Sequence, residues 1–223
     1  LTDQHPAGQL PELERNLVGF FLAGQGYLCQ RGGDWKQARS LMEQGLSLLH
    51  QPQQTDRAKQ AFACLYFGWL VSSRMEFELA KEMGRTSLTL FTALQDRWGM
   101  AASLEMLGGI AKREAAFDEA ERFYQEGLSL STEIESHKLR GGFLANLAEI
   151  LLWRGDYALA HQYLTAAYEI AQQIGARPSL ANVLRDLGRL AICQGQYSQA
   201  IQLIEEGLAF AQEIGYQWTK RSI

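Results

Sequence analysis

Apolar residues recur along this chain in steps of three and four, the spacing that gathers them on one face of an α-helix. Leu104, Leu107 and Ala111 follow the rule, and after a short break Phe117, Ala120, Tyr124 and Leu128 resume it. The break predicts two helices joined by a tight turn. The same pattern returns five times, marked by an aromatic residue three positions before an alanine: Trp35 and Ala38, Phe77 and Ala80, Phe117 and Ala120, Tyr157 and Ala160, Tyr197 and Ala200. Successive alanines stand 42, 40, 40 and 40 residues apart.

Three further classes of position keep the same phase. Twelve residues before each alanine comes a small residue: Gly26, Gly68, Gly108, Ala148 or Gly188. Another small residue follows it by seven: Gly45, Ser87, Gly127, Ala167 or Gly207. Leucine or tyrosine stands at the eighth position, from Leu46 to Leu208. A glycine inside a helix costs roughly 1 kcal/mol relative to alanine, so glycine repeated at one phase predicts that two backbones approach there. Gly32-Gly33-Asp34, Gly155-Asp156 and Gly195-Gln196 read as turns that end one helix on glycine, with aspartate able to cap the next. Ala115-Ala116 and Ser73-Arg74 fill the same place with weaker turn residues.

These residues resemble the tetratricopeptide repeat, whose motif has a small residue in helix A, then an aromatic residue and alanine in helix B, and a small residue before leucine near its end. The resemblance runs from about Leu13 to Ile214. It implies an all-α fold, a right-handed superhelical solenoid of antiparallel helix pairs, with five repeats at about 13–52, 55–95, 96–135, 136–175 and 176–215. Residues 216–223, which include Trp218, would open a sixth. The whole of 1–223 is then expected to be a single repeat domain. This unit is longer than the usual 34 residues and lacks the closing proline. Endings such as Gln173-Ile174-Gly175 and Glu213-Ile214-Gly215 are similar to the arrays in the arms of bacterial signal-transduction ATPases, including the maltose regulator.

The resemblance also implies where a partner binds, because the family's phase places certain helix-A positions on the concave side of the superhelix. Those positions, with the neighbouring Asn146, give Phe62, Leu65, Trp69, Glu105, Lys112, Glu149, Trp153, Asn182, Arg185 and Arg189. The early repeats offer apolar and aromatic groups there and the later ones charge. Asn182, Arg185 and Arg189 share one helical face and, with Asn146, suit a carboxylate or phosphate; the competing expectation is that the arginines simply pair with Glu149, Asp186 or solvent. The expected function is a non-catalytic scaffold binding a protein or peptide, a sensor or interaction arm of a multidomain regulator. A small-molecule, sugar-like sensor and a self-association module acting through the array ends are the alternatives. Other domains of the same polypeptide are further expected partners.

Composition narrows the chemistry. The 223 residues are 47% hydrophobic and 21% charged, as a folded chain requires, and 21 basic against 25 acidic residues leave a net charge of −4 without a basic run. No direct nucleic-acid contact, membrane span or secretory leader is expected, and three scattered cysteines fit a reducing, cytoplasmic setting. His5, His50, His137 and His161 lack metal-ligand spacing, and Gly24-Gln25-Gly26 and Gly141-Gly142 lack the rest of a phosphate loop. No catalytic residue, cofactor or metal is predicted. The start without methionine and the end at Ile223 predict a piece of a longer protein.

Overall fold

The short breaks between apolar runs become helix boundaries in the computed structural model, which describes residues 11–50 and 56–213. Their order is α1 (Glu12–Arg31), α2 (Trp35–Leu49), α3 (Arg57–Ser73), α4 (Phe77–Leu94) and α5 (Arg97–Arg113), then α6 (Phe117–Glu133), α7 (His137–Arg154), α8 (Tyr157–Gln173), α9 (Arg177–Cys193) and α10 (Tyr197–Glu213). Odd-numbered helices are the A helices of the repeats and even-numbered ones the B helices. The described residues are all helix and turn, as the repeat resemblance implies. The sixth helix expected at 216–223, with Trp218, lies outside them.

Capping explains where several helices start. Asp34, Asp56, Asp96, Ser136 and Asp156 each accept a hydrogen bond from the backbone N–H three residues on, satisfying a donor that the helix itself leaves open. At the other end one left-handed residue reverses the chain. Gly33, Gly155, Gly175 and Gly195 have positive φ, as glycine readily does. Met75, Gln95, Ala115 and Glu135 adopt the same conformation without being glycine, at a cost of about 1 to 2 kcal/mol each. What offsets that cost is a shared hydrogen bond: the next N–H donates to the carbonyl five residues back, as from Glu76 to Val71, Ala116 to Ala111 and Asp156 to Leu151.

The described residues divide between Ala116 and Phe117 into two units. In the first, α1 pairs with α2 and α3 with α4, and α5 packs on both α3 and α4. Its core holds Met42, Phe67, Leu70, Phe91, Met106 and Ile110. In the second, α7 pairs with α8 and α9 with α10, while α6 lies against α7. Leu144, Leu151, Leu164, Ile170, Val183 and Leu190 form that core. The five motif alanines are all buried.

The small residues sit where helices touch. A Cβ added to Gly45 would stand 2.5 Å from the carbonyl oxygen of Gly19, and one added to Gly188 would stand 2.6 Å from Cγ1 of Ile204. Both are closer than atoms tolerate without a shift: the Gly19 carbonyl is backbone and cannot yield, whereas Ile204 presents a side chain that can move. Ser87 takes the same phase in α4 and turns it to use: its hydroxyl donates to the carbonyl of Ala61 at 3.0 Å and lies 2.9 Å from the hydroxyl of Ser103.

Candidate functional site

The A helices of the first unit carry an aromatic row. Tyr27 on α1 lies 5.1 Å from Tyr66 on α3, ring centre to ring centre. Tyr66 is 6.3 Å from Phe62 on the same helix, and Phe62 is 6.2 Å from Trp98 on α5. The row thus crosses three successive A helices. Phe62 is fixed from below by an edge-on contact with the buried Phe91, 4.9 Å away, a geometry that aromatic rings favour. Burial, with Tyr27 adding to it, pushes the Tyr66 hydroxyl above its ordinary pKa. Trp98 remains 49% exposed and Trp69, further along α3, 37% exposed.

Of the residues expected on this face, Phe62 and Trp69 reach the surface in whole or in part. Leu65 does not: it is 3% exposed and belongs to the core, because α3 has neighbours on more than one side and position 65 turns toward them. It supports the face from beneath and cannot line it. Glu105 and Lys112 are half-buried on α5. Tyr66 and Trp98 were not among the expected residues. Trp98 stands four positions before Ala102 and seven before Glu105, so extending the predicted stripe by one turn would have found it.

The second unit builds its face from charge. Asp186 on α9 is 3% exposed, yet both of its oxygens accept from Arg185, at 3.0 Å each. Arg189 reaches the same carboxylate and Glu149 of α7, 3.4 Å from each. Its guanidinium also lies 6.0 Å from the ring centre of Trp153, within cation–π range, and Trp153 stacks at 23° against Phe117, 6.0 Å away. Trp153 is 63% exposed. Asn146 and Asn182 are half-buried on α7 and α9. The structure therefore brings together Glu149, Trp153, Arg185 and Arg189, with Asp186 at the centre as the partner that the sequence allowed. Two carboxylates already face two guanidiniums, so an acidic ligand would have to displace them.

No group of three His, Cys, Asp or Glu side chains suited to a metal ion occurs among the described residues, and no helix among them is long and apolar enough to cross a membrane.

Comparison with known proteins agrees with the helical-repeat fold. The family model for the tetratricopeptide repeat matches residues 142–213. No curated protein matches the chain. Among solved structures, BtubC (BKLC) from P. vanneervenii is similar with a TM-score of 0.71 at 18% identity, over 91% of this chain and 83% of that one. The Rap conjugation gene regulator of the plasmid pLS20, in complex with the Phr* peptide, aligns with a TM-score of 0.77 at 16% identity over 96% of this chain; the match spans 58% of that regulator. A protein of nearly identical TPR-like repeats from Podosopora anserina aligns with a TM-score of 0.69 at 16% identity, over 93% and 99% of the two chains. At these identities the shared property is the helical-repeat fold.

Proposed function

We propose that this tetratricopeptide-repeat chain is a non-catalytic scaffold that binds an extended protein or peptide segment, serving as the interaction arm of a multidomain regulator. The observation that carries the reading is the aromatic row of the first unit, from Tyr27 through Tyr66 and Phe62 to the half-exposed Trp98. Large rigid rings that are partly buried at their bases and open at their tips are what anchor a peptide side chain, since they supply contact area with little rotamer entropy to lose. Trp69 extends the apolar surface along α3. A protein of the same fold, the Rap regulator of pLS20, holds a peptide.

The charged face of the second unit plays a different part in this reading. Arg185 and Arg189 are held by Asp186 and Glu149, so they contribute orientation and selectivity against wrongly charged partners more than raw affinity. The test is selection of a displayed random-peptide library on the chain, followed by titration of the recovered peptides against variants. Peptides with an aromatic or large aliphatic anchor are expected, and Trp98→Ala should weaken them by about tenfold or more. Recovery of no peptide, or affinities indifferent to Trp98→Ala, would remove the first-unit face as the site.

A further inference from the structure

The B-helix side of the repeats shows a regularity that is interrupted once. The residue just after each motif alanine is Arg39, Lys81, Glu121 or His161 in the first four repeats. In three of them it forms an ion pair with the turn region of the next repeat: Arg39 with Glu76 at 2.6 Å, Lys81 with Glu114 at 3.0 Å, and Glu121 with Arg154 at 2.5 Å. The third pair has its signs reversed, so the contact is kept while the residues change. Counted from the motif alanines, Gln194 takes the place of Glu114 and Arg154, and Gln196 that of Glu76. Opposite His161 the chain thus offers two amides where the other repeats offer a charge.

A groove of about 440 Å³ opens where that ion pair is missing. One wall is α8, with His161, Thr165 and Tyr168 one or two turns apart. The other is α10, with Gln199 and Leu203, joined by Gln194 and Gln196 from the turn before it. Leu187, Leu190 and Ala191 of α9 make the floor. The volume is that of a ligand site. No Lys, Arg, Asp or Glu lines it, so a phosphate, a nucleic acid or an anionic membrane would find no matching charge.

We infer that this groove is a second binding site, on the B-helix side of the second unit, for an uncharged extended peptide segment of about three residues. The seven steps from His161 to Tyr168 cover about 10 Å along the helix, and an extended chain advances about 3.3 Å per residue. Each glutamine amide supplies two donors and an acceptor, which match the alternating C=O and N–H of a peptide backbone. An apolar side chain of the segment would descend onto Leu190, Ala191 and Leu203. In the first three repeats the corresponding positions pair with each other across the two repeats.

The experiment is an amide NMR titration of the intact chain with acetyl-Ala-Leu-Ala-amide, run beside sucrose as a neutral non-peptide. Saturable shifts at His161, Tyr168, Gln194 and Gln199 with the peptide alone are expected. The double variant His161→Glu/Gln194→Arg, which copies the Glu121–Arg154 pair, should fold normally and weaken the peptide tenfold or more. His161→Ala, which leaves the groove open, should not. Absence of saturable shifts to 10 mM, equal shifts in the closed variant, or shifts with sucrose but not the peptide would each overturn the assignment. Loss of the Trp98 face as a binding site leaves this result untouched, because the groove residues report separately.

Discussion

In the first unit the A helices are knit across their face by rings, from Tyr27 through Tyr66 and Phe62 to Trp98, whereas in the second they are knit by charge, with Asp186 holding Arg185 and Arg189 beside the exposed indole of Trp153. Beneath both faces the packing code is the same: a buried alanine, small residues at the helix contacts, and a left-handed residue at each fully described turn. The code governs how neighbouring helices pack and leaves the outward A-helix positions free. Surface chemistry can therefore differ between repeats at little cost to the fold, as expected of arrays whose stability sums over units and their interfaces.

The largest effects should come from the shared code. Gly45→Ala pushes a methyl against the backbone carbonyl of Gly19, which cannot yield, whereas Gly188→Ala meets Cγ1 of the Ile204 side chain, which can turn away. Overpacking of the first kind costs about 1 to 3 kcal/mol, while the second is largely offset by the helix preference for alanine, about 1 kcal/mol. Thermal melts should show Gly45→Ala clearly destabilised and Gly188→Ala closer to the parent; the reverse order would contradict the placement of backbone against Gly45 and of a side chain against Gly188. Next comes the charged face. Asp186→Ala strips both arginines of a buried partner, and because each arginine still reaches water, the expected loss is about 1 kcal/mol, read from denaturant unfolding.

A smaller pair of changes compares turns. Ala115→Gly in the first unit relieves a left-handed alanine and should stabilise by up to about 1 kcal/mol, while Gly155→Ala in the second should cost a similar amount. Equal signs for the two would contradict the turn geometry. The smallest change is in chemistry alone. Burial pushes the Cys64 thiol up to about 12, whereas Cys193 is exposed. A thiol whose folded pKa lies above its unfolded value favours folding only in the protonated form, so this contribution is constant below about pH 9 and fades as pH rises toward 12. At pH 8, iodoacetamide should label Cys193 at once and Cys64 only as fast as the first unit opens.

Much of the fold was legible because four classes of position recur in every repeat, and the structure shows a packing reason for the alanines and the small residues: Ala38 and its counterparts are buried, and Gly45 and Gly188 lie against neighbouring helices. The turns were less legible. Gly155 and Gly195 announce a left-handed residue, but Met75, Gln95 and Glu135 adopt that conformation through the hydrogen bond that follows, and side-chain identity carries no sign of it. Of the residues that helical phase put on the candidate faces, Phe62, Trp69, Trp153 and Arg189 are exposed or half-buried, whereas Leu65 is buried, since phase alone does not say how many neighbours a helix has. Trp98 escaped because the stripe was ended one turn early. The ion pair absent at His161 was written in the sequence as well, visible once Arg39, Lys81 and Glu121 are aligned at one phase.

The aromatic A-helix face of the first unit is the proposed anchor for a peptide. Hydrogen–deuterium exchange of the chain with and without a library-selected peptide tests it most directly. Slowed exchange concentrated in residues 58–73 and 97–106, and absent in the Trp98→Ala variant, is the predicted result. Protection centred on 177–193, or unchanged by Trp98→Ala, would contradict it.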